Sequence, residues 1–306
     1  MKKIKDPGLG NASAPSAERM MNTNGSFNIL HLNKARRFSE AYNFLVSISW
    51  GYFFFLTFLM GFVINAIFAL IYLLIGIEEI VPSTGNAIKD FFNAFFFSTQ
   101  TFTTLGYGAM APHGLASGIV SSFEAFLGLV LFAFVTGLLY GRFSKPKAAI
   151  RFSKHIVLRD FNHTKAIMFR IVNNRKSTMI HPKVTVTLSL TRQNNVGDYV
   201  NDFYNLKLER NAINYLPTTW TIVHEIDKES PLFQFSKEDI KEQQGEFLIM
   251  ISYYDESFNQ EVHQMHSYTL DEVSLDYKFD KAYYYNEKGK MVLDHKLFDR
   301  IEKLKS

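Results

Sequence analysis

The chain has 306 residues, of which 47% are hydrophobic and 20% are charged, with a net charge of +4 and no cysteine. Its mean hydropathy of −0.04 is that of an ordinary soluble protein of one or two domains. The missing cysteine excludes a disulfide scaffold, a thiolate metal site and a cysteine nucleophile, and the small net charge does not by itself indicate a nucleic-acid partner.

The chain begins with a segment of small and polar residues. Residues 1–26 hold Gly, Asn, Ser and Pro without a continuous apolar core, so we expect no secretory signal here and predict a disordered N-terminus. Residues 27–42 can form an amphipathic slide helix that lies along the inner face of a membrane. Arg36 and Arg37 would then lie near the lipid headgroups.

Charged residues are absent from two long stretches. Residues 41–77 contain no Asp, Glu, Lys or Arg, and in residues 91–141 Glu124 is the only one. A transmembrane helix needs about 20 mostly apolar residues, and two such stretches in a soluble protein would need a very large core around them. We therefore predict a transmembrane pore domain over residues 43–145.

Within this domain we predict two spans and one shorter helix. The spans cover residues 44–76 and 115–139, and a Phe-rich helix over 86–101 is too short to cross and would enter the membrane from one side. Lys and Arg cluster before the first span and after the second, whereas Lys89 is the only basic residue between them. The positive-inside rule places both termini in the cytoplasm.

A short motif, Thr104-Leu105-Gly106-Tyr107-Gly108, follows the short helix. A potassium ion crossing a membrane exchanges its hydration shell for oxygen ligands, and rings of backbone carbonyls from four identical loops can supply them. Gly106 and Gly108 permit the unusual backbone angles that such a loop needs. Thr104 can add a hydroxyl ring, and Tyr107 can pack outward against the short helix and hold the diameter. We predict K+ sites at residues 104–107.

Three residues of the second span stand out. Glu124 is the only ionisable residue inside the spans and is expected to face protein or water; we favour a support for the filter over a direct ion site. Gly128 and Gly137 are candidate hinges, although glycine in membrane helices also serves close packing.

The C-terminal part has a different pattern. Residues 183–190 alternate strictly between apolar and polar side chains, which is typical of a half-buried strand. Residues 166–172, 220–224 and 247–254 are further strand candidates separated by polar turns, so we predict an all-β sandwich over residues 146–306. The fifteen Tyr are better explained by packing within this domain than by stacking on nucleic acid, and no nucleic-acid partner is expected.

Matches in both parts of the chain resemble one family, the inward rectifier potassium channels, and most closely its prokaryotic (KirBac) branch, over about residues 27–285. The motifs that carry the resemblance are Ser49-Trp50, Ala94-Phe95-Phe96-Phe97-Ser98, the filter, Gly137, residues 140–146, Phe161-Asn162, residues 170–175, residues 220–227 and Ser230-Pro231-Leu232.

The resemblance implies a fold and an assembly. The fold is a two-transmembrane α-helical pore domain, with a slide helix and a pore helix, joined to an immunoglobulin-like cytoplasmic β-sandwich. The assembly is a homotetramer in a bacterial inner membrane, with no enzymatic activity, no cofactor and K+ as the permeant ion.

The sequence departs from the family at the filter surround. Gln100 stands where many members have Glu, Met110 where eukaryotic members have Arg, and Ala109 where prokaryotic relatives often have Asp. The charged struts behind the filter are therefore absent, and we expect neutral contacts such as Gln100, or Glu124, to support it.

The resemblance also implies cavity, gate and lipid residues. Phe132 stands at the acidic position that tunes rectification in eukaryotic relatives, and Tyr140 matches the bulky residue at the inner helix-bundle gate. Basic residues at the inner membrane surface are expected to bind anionic lipid, and the resemblance implies phosphoinositide, although topology-setting charge is the alternative. These residues are Arg36, Arg37, Arg142, Lys145 and Lys147.

Two other functions compete with this interpretation. A channel gated by a nucleotide- or calcium-binding domain keeps the pore, but the sequence has no Gly-x-Gly-x-x-Gly motif and its C-terminal part is rich in strands. A membrane-anchored sensor with a non-conducting, channel-like pore is the second alternative. The neutral residues Gln100, Ala109 and Met110 favour it.

Overall fold

A computed structural model describes residues 3–33, 38–145, 148–175 and 178–304. The chain divides into two compact units. One is Asn33–Lys145, and the other combines Met1–Leu32 with Pro146–Ser306.

The first unit is helical. It consists of α1 (Phe38–Ser47), α2 (Trp50–Ile75), a 3-10 turn (Ile77–Glu79), α3 (Ala87–Phe102) and α4 (Leu115–Ser144). Helices α2 and α4 are long and apolar enough to cross a membrane, which confirms the two predicted spans. The first begins later than predicted, because the Ser49 side chain accepts a hydrogen bond from the Tyr52 amide and caps α2 there.

The slide helix lies further along the chain than predicted. Residues 27–33 are not helical, residues 34–37 lie outside the described part, and α1 begins at Phe38. The backbone before it is used in another way, since Asn28 donates its amide hydrogen to the Met20 carbonyl (2.8 Å) and Met21 and Phe27 form an isolated β-bridge.

The second unit is a β-sandwich, as predicted. Its elements are β1 (Ile150–Phe152), β2 (Ile156–Phe161), β3 (Thr164–Asn173), β4 (Met179–Gln193), β5 (Tyr199–Asn205), β6 (Thr219–Ile226), α5 (Lys237–Glu242), β7 (Gly245–Asp255), β8 (Gln260–Thr269), β9 (Val273–Leu275), β10 (Tyr277–Phe279), β11 (Tyr283–Tyr285), β12 (Met291–Leu293) and β13 (Ile301–Lys303). In one sheet β3 pairs with β1, β2 and β6, and β2 pairs in parallel with β9; the other sheet has the order β5-β4-β7-β8. The apolar faces of both sheets share one core that includes Phe169, Leu188, Trp220 and Phe247.

The N-terminal segment lies on this sandwich, where the sequence predicted disorder. The Glu246 carboxylate accepts hydrogen bonds from the backbone amides of Met20 (2.6 Å) and Met21 (3.0 Å). The Met21 side chain is buried against Phe203 and Leu248. A segment of low apolar content is thus held by partners far away in sequence, which local composition does not reveal.

Candidate ion-conduction site

Helix α3 leads into the filter motif. Its first turn is capped by the Asn86 side chain, which accepts hydrogen bonds from the amides of Ile88 (3.0 Å) and Lys89 (3.2 Å). The helix ends at Phe102, and the C-cap residue Thr103 joins it to the motif. The carbonyl end of a helix carries partial negative charge and favours a nearby cation.

The backbone of the motif alternates in conformation. Thr104 (φ 60°), Gly106 (φ 54°) and Gly108 (φ 83°) have positive φ, and Leu105 and Tyr107 do not. A threonine in this region is uncommon and costs conformational energy. Alternation of this kind turns successive carbonyl groups away from the up-and-down pattern of a strand and allows them to face a common axis.

Gln100 supports the motif through its main chain. Its carbonyl oxygen accepts a hydrogen bond from the amide of Leu105 (2.8 Å) and a longer one from Gly106 (3.4 Å). Met110 packs on the apolar cluster formed by α2 and α3. The contacts seen around this end of the motif are therefore neutral.

Glu124 is fully buried between three helices. The Tyr72 hydroxyl of α2 donates to its Oε2 atom (2.6 Å), and its Oε1 atom lies in hydrogen-bond contact with the Ser98 hydroxyl of α3. Ser98 also contacts the Asn65 side chain of α2. Of this cluster, the sequence analysis singled out Glu124 as a functional residue and named Ser98 only as part of a family motif. The available signal was that Asn65 and Tyr72 are polar and lie seven residues apart, on one face of an apolar helix.

Phe132 and Tyr140 lie on the outer surface of the single chain. Their side chains are 74% and 75% exposed, and their spacing of eight residues places them on the same face of α4. Tyr107 is also 74% exposed, so within one chain it does not pack on α3 as the sequence analysis expected. All three aromatic rings therefore point away from the packed interior of the single chain.

The two glycines of α4 differ in their surroundings. The helix continues through both. A Cβ atom at Gly128 would lie 2.0 Å from the Phe102 carbonyl oxygen, whereas Gly137 has nothing within 4 Å of that position. Gly128 therefore allows the close approach of α4 to the end of α3, which favours the packing alternative at this position, and Gly137 remains a candidate hinge.

Arg142 is not available to lipid, in contrast to the prediction. Its side chain is 8% exposed, and the guanidinium donates to the carbonyl oxygens of Leu45 and Ile48 at the end of α1. It also lies over the rings of Trp50 (4.5 Å) and Phe53 (4.6 Å). A cation at a helix C-terminus satisfies carbonyls that lack partners within the helix.

Of the other predicted lipid residues, Lys145 is exposed and its Nζ atom contacts the Ser47 hydroxyl at 3.0 Å. Arg36, Arg37 and Lys147 lie outside the described residues.

The opposite end of α4 has a cap that the sequence analysis did not identify. The Glu79 carboxylate accepts a hydrogen bond from the Ser117 amide (3.1 Å), and the Glu79 carbonyl accepts one from His113 (2.8 Å). Gly114 leaves room for it, because a Cβ atom there would lie 2.1 Å from Glu79 Oε2. A carboxylate at this position complements the positive end of the helix.

The buried histidines of the sandwich have structural partners. His224 contacts the Lys207 carbonyl (2.8 Å) and the Ser230 hydroxyl (2.9 Å), and burial lowers its pKa. His266 contacts the Thr23 carbonyl of the N-terminal segment (2.6 Å), and burial lowers its pKa as well. In the part of the chain that the structure describes, no group of three or more His, Asp and Glu could hold a metal ion.

Comparison with known proteins gives concordant matches for the two units. Residues 150–306 match the family described as "Inward rectifier potassium channel C-terminal domain", and residues 52–145 match "Ion channel". The chain is 32% identical to the inward rectifier potassium channel Kirbac3.1 of Paramagnetospirillum magnetotacticum, over 92% of this chain and 95% of that protein. It is 25% identical to human inward rectifier potassium channel 18, over 98% of this chain and 75% of that one.

Proposed function

Because the chain belongs to the inward rectifier potassium channel family, a family of ion channels and not of enzymes, we propose that it forms a homotetrameric pore that conducts K+ through residues 104–108. The chain is a membrane protein with a two-span pore domain and a β-sandwich domain. Both termini lie in the cytoplasm, and the membrane is the bacterial inner membrane.

The observation that carries the proposal is the filter backbone. Positive φ at Thr104, Gly106 and Gly108 allows the carbonyls of one loop to face one axis, directly after the carbonyl end of α3. One loop supplies one quarter of each ring, so four copies are needed to replace a hydration shell. The exposure of Tyr107 and Phe132 in the single chain fits this assembly, since a neighbouring copy would cover Tyr107 and the four Phe132 rings would line the shared cavity.

The gate lies at the inner end of α4. Four Tyr140 rings, with the Phe132 rings nearer the filter, close the pore by excluding water. Conformational changes of the cytoplasmic sandwich control whether this gate is open or closed. The free space around Gly137 supports this residue as the position where α4 would bend when the gate opens.

Potassium flux tests the proposal. The purified full-length protein, reconstituted into liposomes, is expected to transport K+, and Ba2+, a divalent ion of similar radius, is expected to block it. Absence of flux in vesicles of several lipid compositions, with an intact tetramer, would instead favour the membrane-anchored sensor with a non-conducting pore.

With Phe132 in the cavity, we expect internal polyvalent cations to block the K+ current only weakly. A phenyl ring attracts Mg2+ or a polyamine far less than a carboxylate does. We expect Phe132→Asp to steepen rectification in the presence of internal spermine, because four copies would place four carboxylates in one cavity. Current–voltage curves of the wild type and the variant check this, with Phe132→Leu as the neutral control; identical curves for all three would refute it.

Anionic lipid, with phosphoinositide as one such lipid, is proposed to regulate the gate through the basic residues that flank the two spans. Arg142 is not one of these lipid-binding residues, because its guanidinium is buried against the C-terminal end of α1. We expect the combined neutralisation of Arg36, Arg37, Lys145 and Lys147 to remove the response of K+ flux to anionic lipid in liposomes, since each basic residue near the surface contributes about 1 kcal/mol. Retained sensitivity in the fourfold variant would show that their charge only sets topology.

A further inference from the structure

A polar cluster lies inside the membrane-spanning unit. Asn65 and Tyr72 of α2, Ser98 of α3 and Glu124 of α4 are all buried and connect the three helices by hydrogen bonds. The position of the hydrogen atoms in this cluster follows from the heavy atoms, because only one assignment gives every contact a donor.

The side-chain amide of Asn65 has one orientation that satisfies its contacts. Its Nδ2 atom lies 2.7 Å from the Gly61 carbonyl oxygen, which can only accept. The amide group must therefore direct its nitrogen to Gly61 and its Oδ1 atom to the Ser98 hydroxyl, at 2.8 Å. An amide turned the other way would place two acceptors against each other.

The hydroxyl of Ser98 contacts two oxygen atoms, Asn65 Oδ1 and Glu124 Oε1. A hydroxyl has one hydrogen, and Asn65 Oδ1 needs it, because that atom has none of its own. The Ser98 oxygen then still contacts Glu124 Oε1, and this contact needs a second hydrogen. Tyr72 cannot supply it, since its hydroxyl hydrogen goes to Glu124 Oε2 at 2.6 Å.

We propose that Glu124 is a neutral carboxylic acid that donates from Oε1 to the Ser98 oxygen, and that Tyr72, Ser98 and Asn65 are positioning residues for the filter. The resulting hydrogen-bond chain runs from Tyr72 to Glu124 and from Glu124 through Ser98 and Asn65 to Gly61. Every polar atom of the four side chains that faces the cluster then has a partner.

The surroundings agree with a neutral group. Tyr72 and Ser98 are the side chains that interact with Glu124, and no charged side chain does so among the described residues. Of the other titratable groups on the packed elements, Asp90 of α3 accepts hydrogen bonds from Ser83 and Thr84, and Glu79 caps α4. An ionised carboxylate without a partner would be expensive at this depth.

The position of the cluster links it to the filter. Ser98 lies two residues before Gln100, whose carbonyl accepts from Leu105 and Gly106. A hydrogen-bond chain from α2 and α4 to Ser98 thus fixes the end of α3 without the charged struts that the sequence lacks. This part of the inference rests on the proposed channel function.

Infrared spectroscopy of the full-length protein in lipid tests the protonation directly. We expect the wild type at neutral pH to show the C=O stretch of a protonated carboxylic acid, sensitive to deuterium exchange, that is absent from Glu124→Gln. A wild type without a carboxylic-acid band that the variant loses would overturn the proposal. Because this readout needs no flux, it stays valid even if the channel function fails.

Selectivity of flux tests the positioning role. Glu124→Gln can donate to Ser98 and accept from Tyr72, so we expect its K+ over Na+ selectivity to stay within about twofold of the wild type, whereas Ser98→Ala loses about tenfold, the equivalent of one buried hydrogen bond. Ser121→Ala is the matched control, because this buried hydroxyl of α4 donates to the Gly118 carbonyl of its own helix and has no other hydrogen-bond partner in the described part of the chain. Loss of selectivity in Glu124→Gln as large as in Ser98→Ala, with tetramers intact, would show that an ionised Glu124 is needed.

Discussion

Gly128→Ala is expected to abolish selective K+ flux. The added Cβ atom would lie 2.0 Å from the Phe102 carbonyl oxygen and 2.9 Å from its carbonyl carbon. These are backbone atoms and cannot turn aside as a flexible side chain can, so α4 and the end of α3 have to separate. Overpacking of this kind costs about 1–3 kcal/mol and sometimes more, and here the displaced backbone is that of the last residue of α3, two positions before the filter motif.

Gly137→Ala is the matched control on the same helix, because a Cβ atom there has nothing within 4 Å. We expect normal assembly and normal K+ over Na+ selectivity for this variant, measured by flux in liposomes and by size-exclusion chromatography of the tetramer. Selective flux retained in Gly128→Ala would contradict the close approach. Altered opening with intact selectivity in Gly137→Ala would assign the bend to that position.

Much of the fold could be predicted from the distribution of residues. The two stretches without charge correspond to α2 and α4, and the strict alternation over 183–190 falls within β4. Local patterns of this kind reveal secondary structure because a membrane span needs a continuous apolar stretch and a half-buried strand needs alternating apolar and polar residues. The filter motif was visible for a similar reason, since only glycine adopts positive φ without strain.

The rest depended on contacts between residues far apart in sequence. Glu124 binds Ser98 and Tyr72, which lie 26 and 52 residues away. The N-terminal segment is ordered by Glu246, more than 220 residues away. Composition describes a residue's own preference and carries no information on such partners. This explains why a segment of polar and small residues was predicted to be disordered.

Arg142 illustrates the same limit for function. A basic residue at the end of a span is commonly a lipid or topology residue, and the sequence offers no sign that this one turns back into the protein. In the structure, its guanidinium donates hydrogen bonds to the carbonyl oxygens of Leu45 and Ile48. Helix α4 is thereby held at three levels, by Glu79 at its start, by Glu124 in its middle and by Arg142 at its end.

Position 142 lies two residues beyond the proposed gate residue Tyr140. The guanidinium joins the carbonyls at the C-terminal end of α1 to the last turn of α4, so we expect a shift of α1 to be transmitted to the proposed gate. A channel without this contact is expected to open independently of α1.

Arg142→Met is expected to destabilise the pore unit and to uncouple its gate. The methionine side chain can still pack against the rings of Trp50 and Phe53. The variant leaves the two α1 carbonyls without this donor and loses the cation–π contacts, which we expect to lower the free energy of unfolding by about 2–5 kcal/mol. Thermal unfolding of the tetramer in detergent measures the first effect, and K+ flux with and without anionic lipid measures the second. Lys145→Met is the matched control for stability, since Lys145 is exposed and its hydrogen bond among the described residues is to the Ser47 hydroxyl, and we expect a change within about 0.5 kcal/mol. Arg142→Lys should fall between them, because an ammonium group cannot reach both carbonyls and stack on the rings at once. Equal stability of the Arg142→Met and Lys145→Met tetramers would show that the α1 contacts do not hold the helix.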